Sequence, residues 1–286
     1  MRQLFRFQAF TAPGYCLAGL VLLSTLLGSK VLAQGDLMIT PHRVVFEGSK
    51  RSQVLNIANT GQDTAKYVIS VIQYRMNEDG SFEAITEPDT AQRFASPFLR
   101  FFPRSVVLGP NEAQTVKIQL TKTNQIETGE YRSHFYFRAV PEEKPLGEED
   151  EIATDSSITI QLNAIFGITI PVIIRKGEST TQVDITESIL EMVNDTVPVL
   201  NLTFKRTGNM SVYGDITVEH ISPQGLRTQV GLVRGMAVYT PNHVRQFRVN
   251  LNKKLGVDYT QGKLQIVYAV QTDARDAKLA EIEMKL

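Results

Sequence analysis

The chain has 286 residues, 42% of them hydrophobic and 21% charged, with 30 basic against 30 acidic side chains. That length accommodates two ordinary domains, and the composition is that of a soluble globular protein rather than a disordered one. A balanced charge gives no electrostatic ground for binding nucleic acid or an anionic membrane.

Residues 1–33 stand apart from the rest. Arg2 and Arg6 precede an apolar run over residues 17–27, and Val31-Leu32-Ala33 before Gln34 forms a small-residue cleavage site. This is the pattern of a secretory signal peptide. The run is too short for a spanning helix and no second one follows, so no membrane insertion is expected after cleavage. Cleavage removes Cys16, the only cysteine, and leaves neither a disulfide nor a thiol nucleophile. It also removes Arg2, Arg6 and Lys30, so 27 basic residues face 30 acids, a net charge of −3.

From residue 36 onward the pattern is short strands separated by turn residues. Residues 37–46 are apolar and broken by Pro41, residues 53–58 alternate up to Asn59-Thr60-Gly61, and residues 67–74 end at Asn77-Glu78-Asp79-Gly80. Residues 98–102, 105–108, 115–120 and 131–140 complete a series of about seven strands with no amphipathic helix, which predicts an immunoglobulin-like sandwich.

Residues 141–156 shift in composition. Seven acids face the single Lys144, and Pro145 and Gly147 interrupt regular structure, so an acidic surface loop is expected. The stretch 157–175, SITIQLNAIFGITIPVIIR, follows, with Ile158, Ile160, Leu162, Ala164, Phe166, Ile168, Ile170 and Val172 on every second position. Such alternation marks a strand with two different faces. Strands usually run about five or six residues, so this one is roughly three times too long for one small sheet. It is either a core strand, whole or bent near Gly167, or a strand whose first half offers its apolar row to a partner.

Lys176-Gly177-Glu178 reads as a linker, and a second strand series occupies residues 182–189, 199–205, 215–220, 231–238, 244–251 and 264–270. The expected organisation is a signal peptide over 1–33, an N-terminal immunoglobulin-like domain over 34–176 carrying the long strand, and a smaller C-terminal β-sandwich over 177–286.

The chemistry of an enzyme is missing from the pattern. His42, His134, His220 and His243 are scattered, and none has a companion at metal-ligand spacing. There is no nucleophile elbow, phosphate loop or dinucleotide fingerprint, so no enzyme, metal or cofactor is expected. His134, which alternates with Phe135 and Phe137, is expected to be a solvated or hydrogen-bonded strand residue.

Several stretches resemble one family, the periplasmic chaperones of the chaperone–usher pilus pathway, or PapD-like proteins. The resemblance is carried by Arg43-Val44-Val45-Phe46-Glu47-Gly48-Ser49 followed by Val54-Leu55-Asn56-Ile57-Ala58-Asn59, and by Leu108-Gly109-Pro110 with Gln114-Thr115-Val116-Lys117-Ile118. Tyr131-Arg132-Ser133-His134-Phe135-Tyr136-Phe137 and Ile170-Pro171-Val172-Ile173-Ile174-Arg175 add the strand before the donor loop and the end of the long donor strand.

The resemblance implies an all-β fold of two immunoglobulin-like sandwiches meeting at an angle. It also implies a periplasmic chaperone that binds, folds and caps pilus or fimbrial subunits by donor-strand complementation and hands them to an outer-membrane usher. The implied donor residues are Ile158, Ile160, Leu162, Ala164 and Phe166, and the implied anchor for the subunit's C-terminal carboxylate is Arg43. Arg175 matches an arginine of the domain interface and is alternatively a secondary anchor. The family's second basic anchor, a lysine on the long strand, falls here on Pro171, the departure of a divergent branch. The free protein is expected either to self-associate through the long strand or to fold the acidic loop over it. The alternative is a structural or adhesive two-domain surface protein, in which residues 157–175 are fully paired within their own sheet.

Overall fold

The computed structural model describes residues 37–140, 167–194, 196–270 and 277–286. The signal peptide with Cys16, the acidic stretch 141–156 and the donor row Ile158, Ile160, Leu162, Ala164 and Phe166 lie outside the described residues.

In chain order the first ten strands are β1 (Leu37–Thr40), β2 (Val44–Phe46), β3 (Ser52–Asn59), β4 (Ala65–Met76), β5 (Phe82–Ile85), β6 (Leu99–Phe102), β7 (Ser105–Leu108), β8 (Ala113–Leu120), β9 (Gly129–Val140) and β10 (Gly167–Lys176). One sheet has the order β1-β3-β8-β6; the facing sheet has the order β2-β10-β9-β4-β5, with β7 also pairing with β4. Alternation decides which side of each strand is inside. Leu55, Ile57, Val116 and Ile118 of the first sheet meet Phe135, Phe137, Ile170 and Val172 of the second in one core. Burying each such side chain stabilises the fold by about 1.5–3 kcal/mol before the entropy of ordering is subtracted.

The remaining strands are β11 (Gln182–Val193), β12 (Val197–Thr207), β13 (Val212–Ile221), β14 (Arg227–Val238), β15 (Val244–Asn250), β16 (Lys263–Val270) and β17 (Ala277–Lys285). They form sheets of order β11-β12-β15 and β14-β13-β16-β17 around a core of their own that includes Leu200, Phe204, Ile216, Val218, Ile266 and Tyr268. The fold is therefore all-β, two immunoglobulin-like sandwiches. β5 and β17 were not among the expected strands. β5 is exposed along most of its length and pairs only with β4, and β17 is an edge strand dominated by Lys278, Glu281, Glu283 and Lys285. β5 lacks a buried face, whereas in β17 Ala280, Ile282 and Met284 alternate with Glu281, Glu283 and Lys285 and pack against the second core.

Within the first sandwich the chain leaves β1 in one sheet, passes Pro41, His42 and Arg43, and enters β2 in the other sheet, where it runs parallel to β10. The turn after β4 reaches the second sandwich: Asn242 Nδ2 donates to the Met76 carbonyl at 2.6 Å, and the Gln246 N–H donates to the Glu78 carbonyl at 2.7 Å. A small apolar cluster of Met76, Ile173, Ala237 and Tyr239, with Val45 against it, fills the joint.

Candidate functional site

The face of the first sandwich that meets the second is set by strand period. On β9, Phe135 and Phe137 turn into the core, so Arg132, His134 and Tyr136 share the opposite face. Their cross-strand neighbours on β10 are Ile173, Pro171 and Thr169. Gly167 opens β10 because a Cβ there would collide with the ring of Tyr136.

β10 is paired with β9 along its whole length, but on its other side β2 covers only Val172, Ile173 and Ile174. From Gly167 to Pro171 that edge has no partner strand among the described residues. Arg43 sits at the end of the bare edge, one residue before the Val44–Val172 pair and therefore level with Pro171.

Arg43 is partly exposed, and its guanidinium lies 4.2 Å from the ring centre of Tyr213 and 5.5 Å from that of Tyr239. Its Nη1 is 3.5 Å from the Tyr239 hydroxyl. Glu47, the nearby acid a strand arginine would be expected to pair with, instead accepts from Arg175 Nη1 at 2.9 Å.

Arg132 is the residue that reading the sequence missed. It is only 4% exposed, its guanidinium lies 4.1 Å from the ring centre of Tyr239, and its Nη1 and Nη2 have no hydrogen-bond partner. Burial pushes its pKa below the ordinary arginine value; Tyr239 and Glu130 oppose that shift and the charge of Arg43 adds to it. The signal was present, because the alternation that sends Phe135 and Phe137 inward puts Arg132 on the other face. Tyr213 and Tyr239 gave no such signal, since they arrive from the second sandwich.

His134 corrects the expectation of a solvated or hydrogen-bonded strand histidine. It is buried, its Nδ1 has no hydrogen-bond partner, and Tyr74 and Phe82 meet it edge-on at 5.1 and 5.9 Å between ring centres. Burial and then the positive charge of Arg132 lower its pKa to about 3. It is therefore neutral near pH 7.

Arg175 stands at the joint with its donors committed. Its Nε bonds Glu130 at 3.0 Å, and its Nη2 donates to the Ser211 carbonyl at 2.8 Å. The Glu130 side chain is fully buried and also accepts from the Ser211 N–H at 3.0 Å and the Ser211 hydroxyl at 2.7 Å. Burial acts to lower the Arg175 pKa, but the carboxylates of Glu130 and Glu47 outweigh it and leave the value raised.

Among the described residues no group of three or more His, Cys, Asp or Glu is placed to hold a metal ion, and no helix is long and apolar enough to cross a membrane. The site consists of an open strand edge, two arginines and the aromatic rings around them.

A search among curated proteins returned no significant match. Among solved structures, the chain is similar to the Pseudomonas aeruginosa CupB2 chaperone, at 14% identity over 87% of this chain and 100% of that one, with a TM-score of 0.43. It is also similar to a chain of the Salmonella enterica SafA pilin–SafB chaperone complex, at 15% identity over 88% and 96%, TM-score 0.40. The E. coli chaperone DraB is 14% identical over 88% and 97%, TM-score 0.40. The assignment is carried instead by a family model, described as pili and flagellar-assembly chaperone, PapD N-terminal domain, which matches residues 36–178, half of the chain. The chain belongs to the pili and flagellar-assembly chaperone family.

Proposed function

We propose that this chaperone works in the periplasm, where it lends the first half of the 157–175 stretch to a pilus subunit and then passes that subunit to an outer-membrane usher. The observation that carries the reading is the bare β10 edge from Gly167 to Pro171, which ends level with Arg43. An unpaired edge is a template for another strand, whose main-chain groups it satisfies. A guest strand beside β10 with its last residue against the start of β2 runs parallel to β10. At that level Pro171 has no N–H to offer, so the guest's terminal oxygens turn to the Arg43 guanidinium, whose planar fork suits a carboxylate.

The proposed donor row is Ile158, Ile160, Leu162, Ala164 and Phe166, which alternate in the sequence just before β10. Four such side chains in a subunit's groove give on the order of 6–12 kcal/mol gross, less several for ordering the strand. Arg175 belongs to the joint between the domains 34–176 and 177–286 rather than to the carboxylate site, because its donors are already committed. The free protein, with its edge uncovered, is expected to self-associate through it.

Amide exchange tests the reading. Residues 158–163 should exchange fast in the free chaperone and slowly in complex with a pilin encoded beside it. Equal protection in both states would instead support a structural protein whose long strand is paired internally.

A further inference from the structure

A buried guanidinium with unsatisfied donors is costly, and a folded protein usually gives each such group a partner. Arg132 has none for Nη1 and Nη2. The nearby Glu130 carboxylate is committed to Arg175 and Ser211. What Arg132 does have is Tyr239, at 4.1 Å, and the same ring lies 5.5 Å from Arg43. Two guanidinium groups therefore share one aromatic ring. Each is attracted to the ring and repelled by the other, an arrangement that an anion would relieve.

Position supports the same conclusion. Arg132 is on β9 opposite Ile173, and Arg43 is at the start of β2 level with Pro171, so arginines flank β10 from both sides. Tyr239 follows β14 on the second sandwich, is itself buried, and has Phe82 behind it at 6.3 Å between ring centres. While Tyr239 stays there, solvent does not reach the outer nitrogens of Arg132.

We propose that Arg132 is the second cation of the carboxylate site, taking the place of the basic residue absent at Pro171, and that Tyr239 is a shutter. The shutter occupies both arginines in the free chaperone, and a subunit's C-terminal carboxylate displaces it. This rests on the strand-donation reading above. The closed state keeps small anions off Arg132 and admits a carboxylate to it only when the strand behind it has docked along β10.

Phenylglyoxal, which modifies accessible arginines, with mass-spectrometric mapping tests the proposal. In the free wild-type chain Arg43 should react and Arg132 should not. In Tyr239→Ala, Arg132 should react roughly tenfold faster or more, as for a group released from a protected state, while Tyr239→Phe keeps the protection because the ring is the cover. The probe is a seven-residue peptide of alternating Val and Thr with a free C-terminal carboxylate, beside its carboxamide twin. With Tyr239→Ala, the carboxylate peptide should protect both arginines and the carboxamide neither. Protection of Arg43 alone overturns the assignment of Arg132 and leaves the strand-donation reading standing; protection of neither removes the carboxylate anchor itself. An Arg132 that stays unreactive in a folded Tyr239→Ala overturns the shutter. Should that variant misfold, wild-type chain labelled with 3-fluorotyrosine decides. The Tyr239 resonance, assigned with Tyr239→Phe, should move with the carboxylate peptide and not with the carboxamide, and a resonance that stays put overturns the shutter.

Discussion

Arg175 and Glu130 face each other across β10 and β9 at 3.0 Å, and the carboxylate oxygen that takes the guanidinium also accepts two hydrogen bonds from Ser211 of the other sandwich. Arg175 bonds Glu47 at a similar distance, 2.9 Å, but the Glu47 side chain is 52% exposed and that of Glu130 is 0%. Burial should separate the two pairs. Arg175→Met strands a buried carboxylate and should cost about 3–5 kcal/mol in urea unfolding. Glu47→Ala removes a half-solvated partner and should cost less than about 1 kcal/mol. Equal losses would mean that the joint does not depend on Glu130.

Arg43→Ala should lower the stability of the subunit complex by roughly 2–5 kcal/mol, as truncating a desolvated charge pair does. Its melting temperature should barely change, because Arg43 is partly exposed and outside the apolar core. Arg43→Lys should recover only part of the binding, since an ammonium cannot reproduce the fork. Titration calorimetry with purified subunit measures both effects. Wild-type affinity in Arg43→Ala would remove Arg43 from the site.

Ile160→Asp with Leu162→Asp puts two charges where apolar pockets of a subunit are expected, at a cost of several kcal/mol. Co-purification of subunit should disappear while the chaperone itself stays folded by circular dichroism. An insoluble double variant would place these side chains in the protein's own core.

His134 makes stability depend on acid. Its folded pKa of about 3 lies below the ordinary histidine value of 6.5. Between those values the unfolded chain binds the extra proton, so the stabilisation is complete above pH 6.5 and falls as pH drops toward 3. The slope should approach about 1.4 kcal/mol per pH unit inside that window. The groups around the ring are Arg132 on its own strand, Tyr74 and Phe82 from β4 and β5, and Pro171 opposite. The urea midpoint should fall less between pH 7, 5 and 4 in His134→Phe than in wild type. Parallel pH curves for the two would show that His134 titrates normally.

Strand existence was legible where one face is buried and the other wet, as in β3 with Leu55 and Ile57 inside, and in β9 with Phe135 and Phe137. It was not legible in β5, where pairing with β4 rather than burial makes the strand. Arg43 could be read because its neighbours form a local motif. The partners of its guanidinium could not, since Tyr213 and Tyr239 are about 170 to 200 positions away and are brought in only by the packing of one sandwich on the other. The burial of His134 was hidden because Tyr74 and Phe82 reach it from β4 and β5, strands distant in the sequence. Local alternation reports which face a side chain is on, not what covers that face.

The turn that joins the sandwiches grips through main-chain atoms: the Glu78 carbonyl accepts the Gln246 N–H and the Arg245 guanidinium, and the Met76 carbonyl accepts Asn242. A carbonyl survives almost any substitution of its own residue. The angle between the two bodies is thus insulated from sequence drift at positions 78 and 246, and the outer surfaces are free to diversify while the hinge keeps its shape.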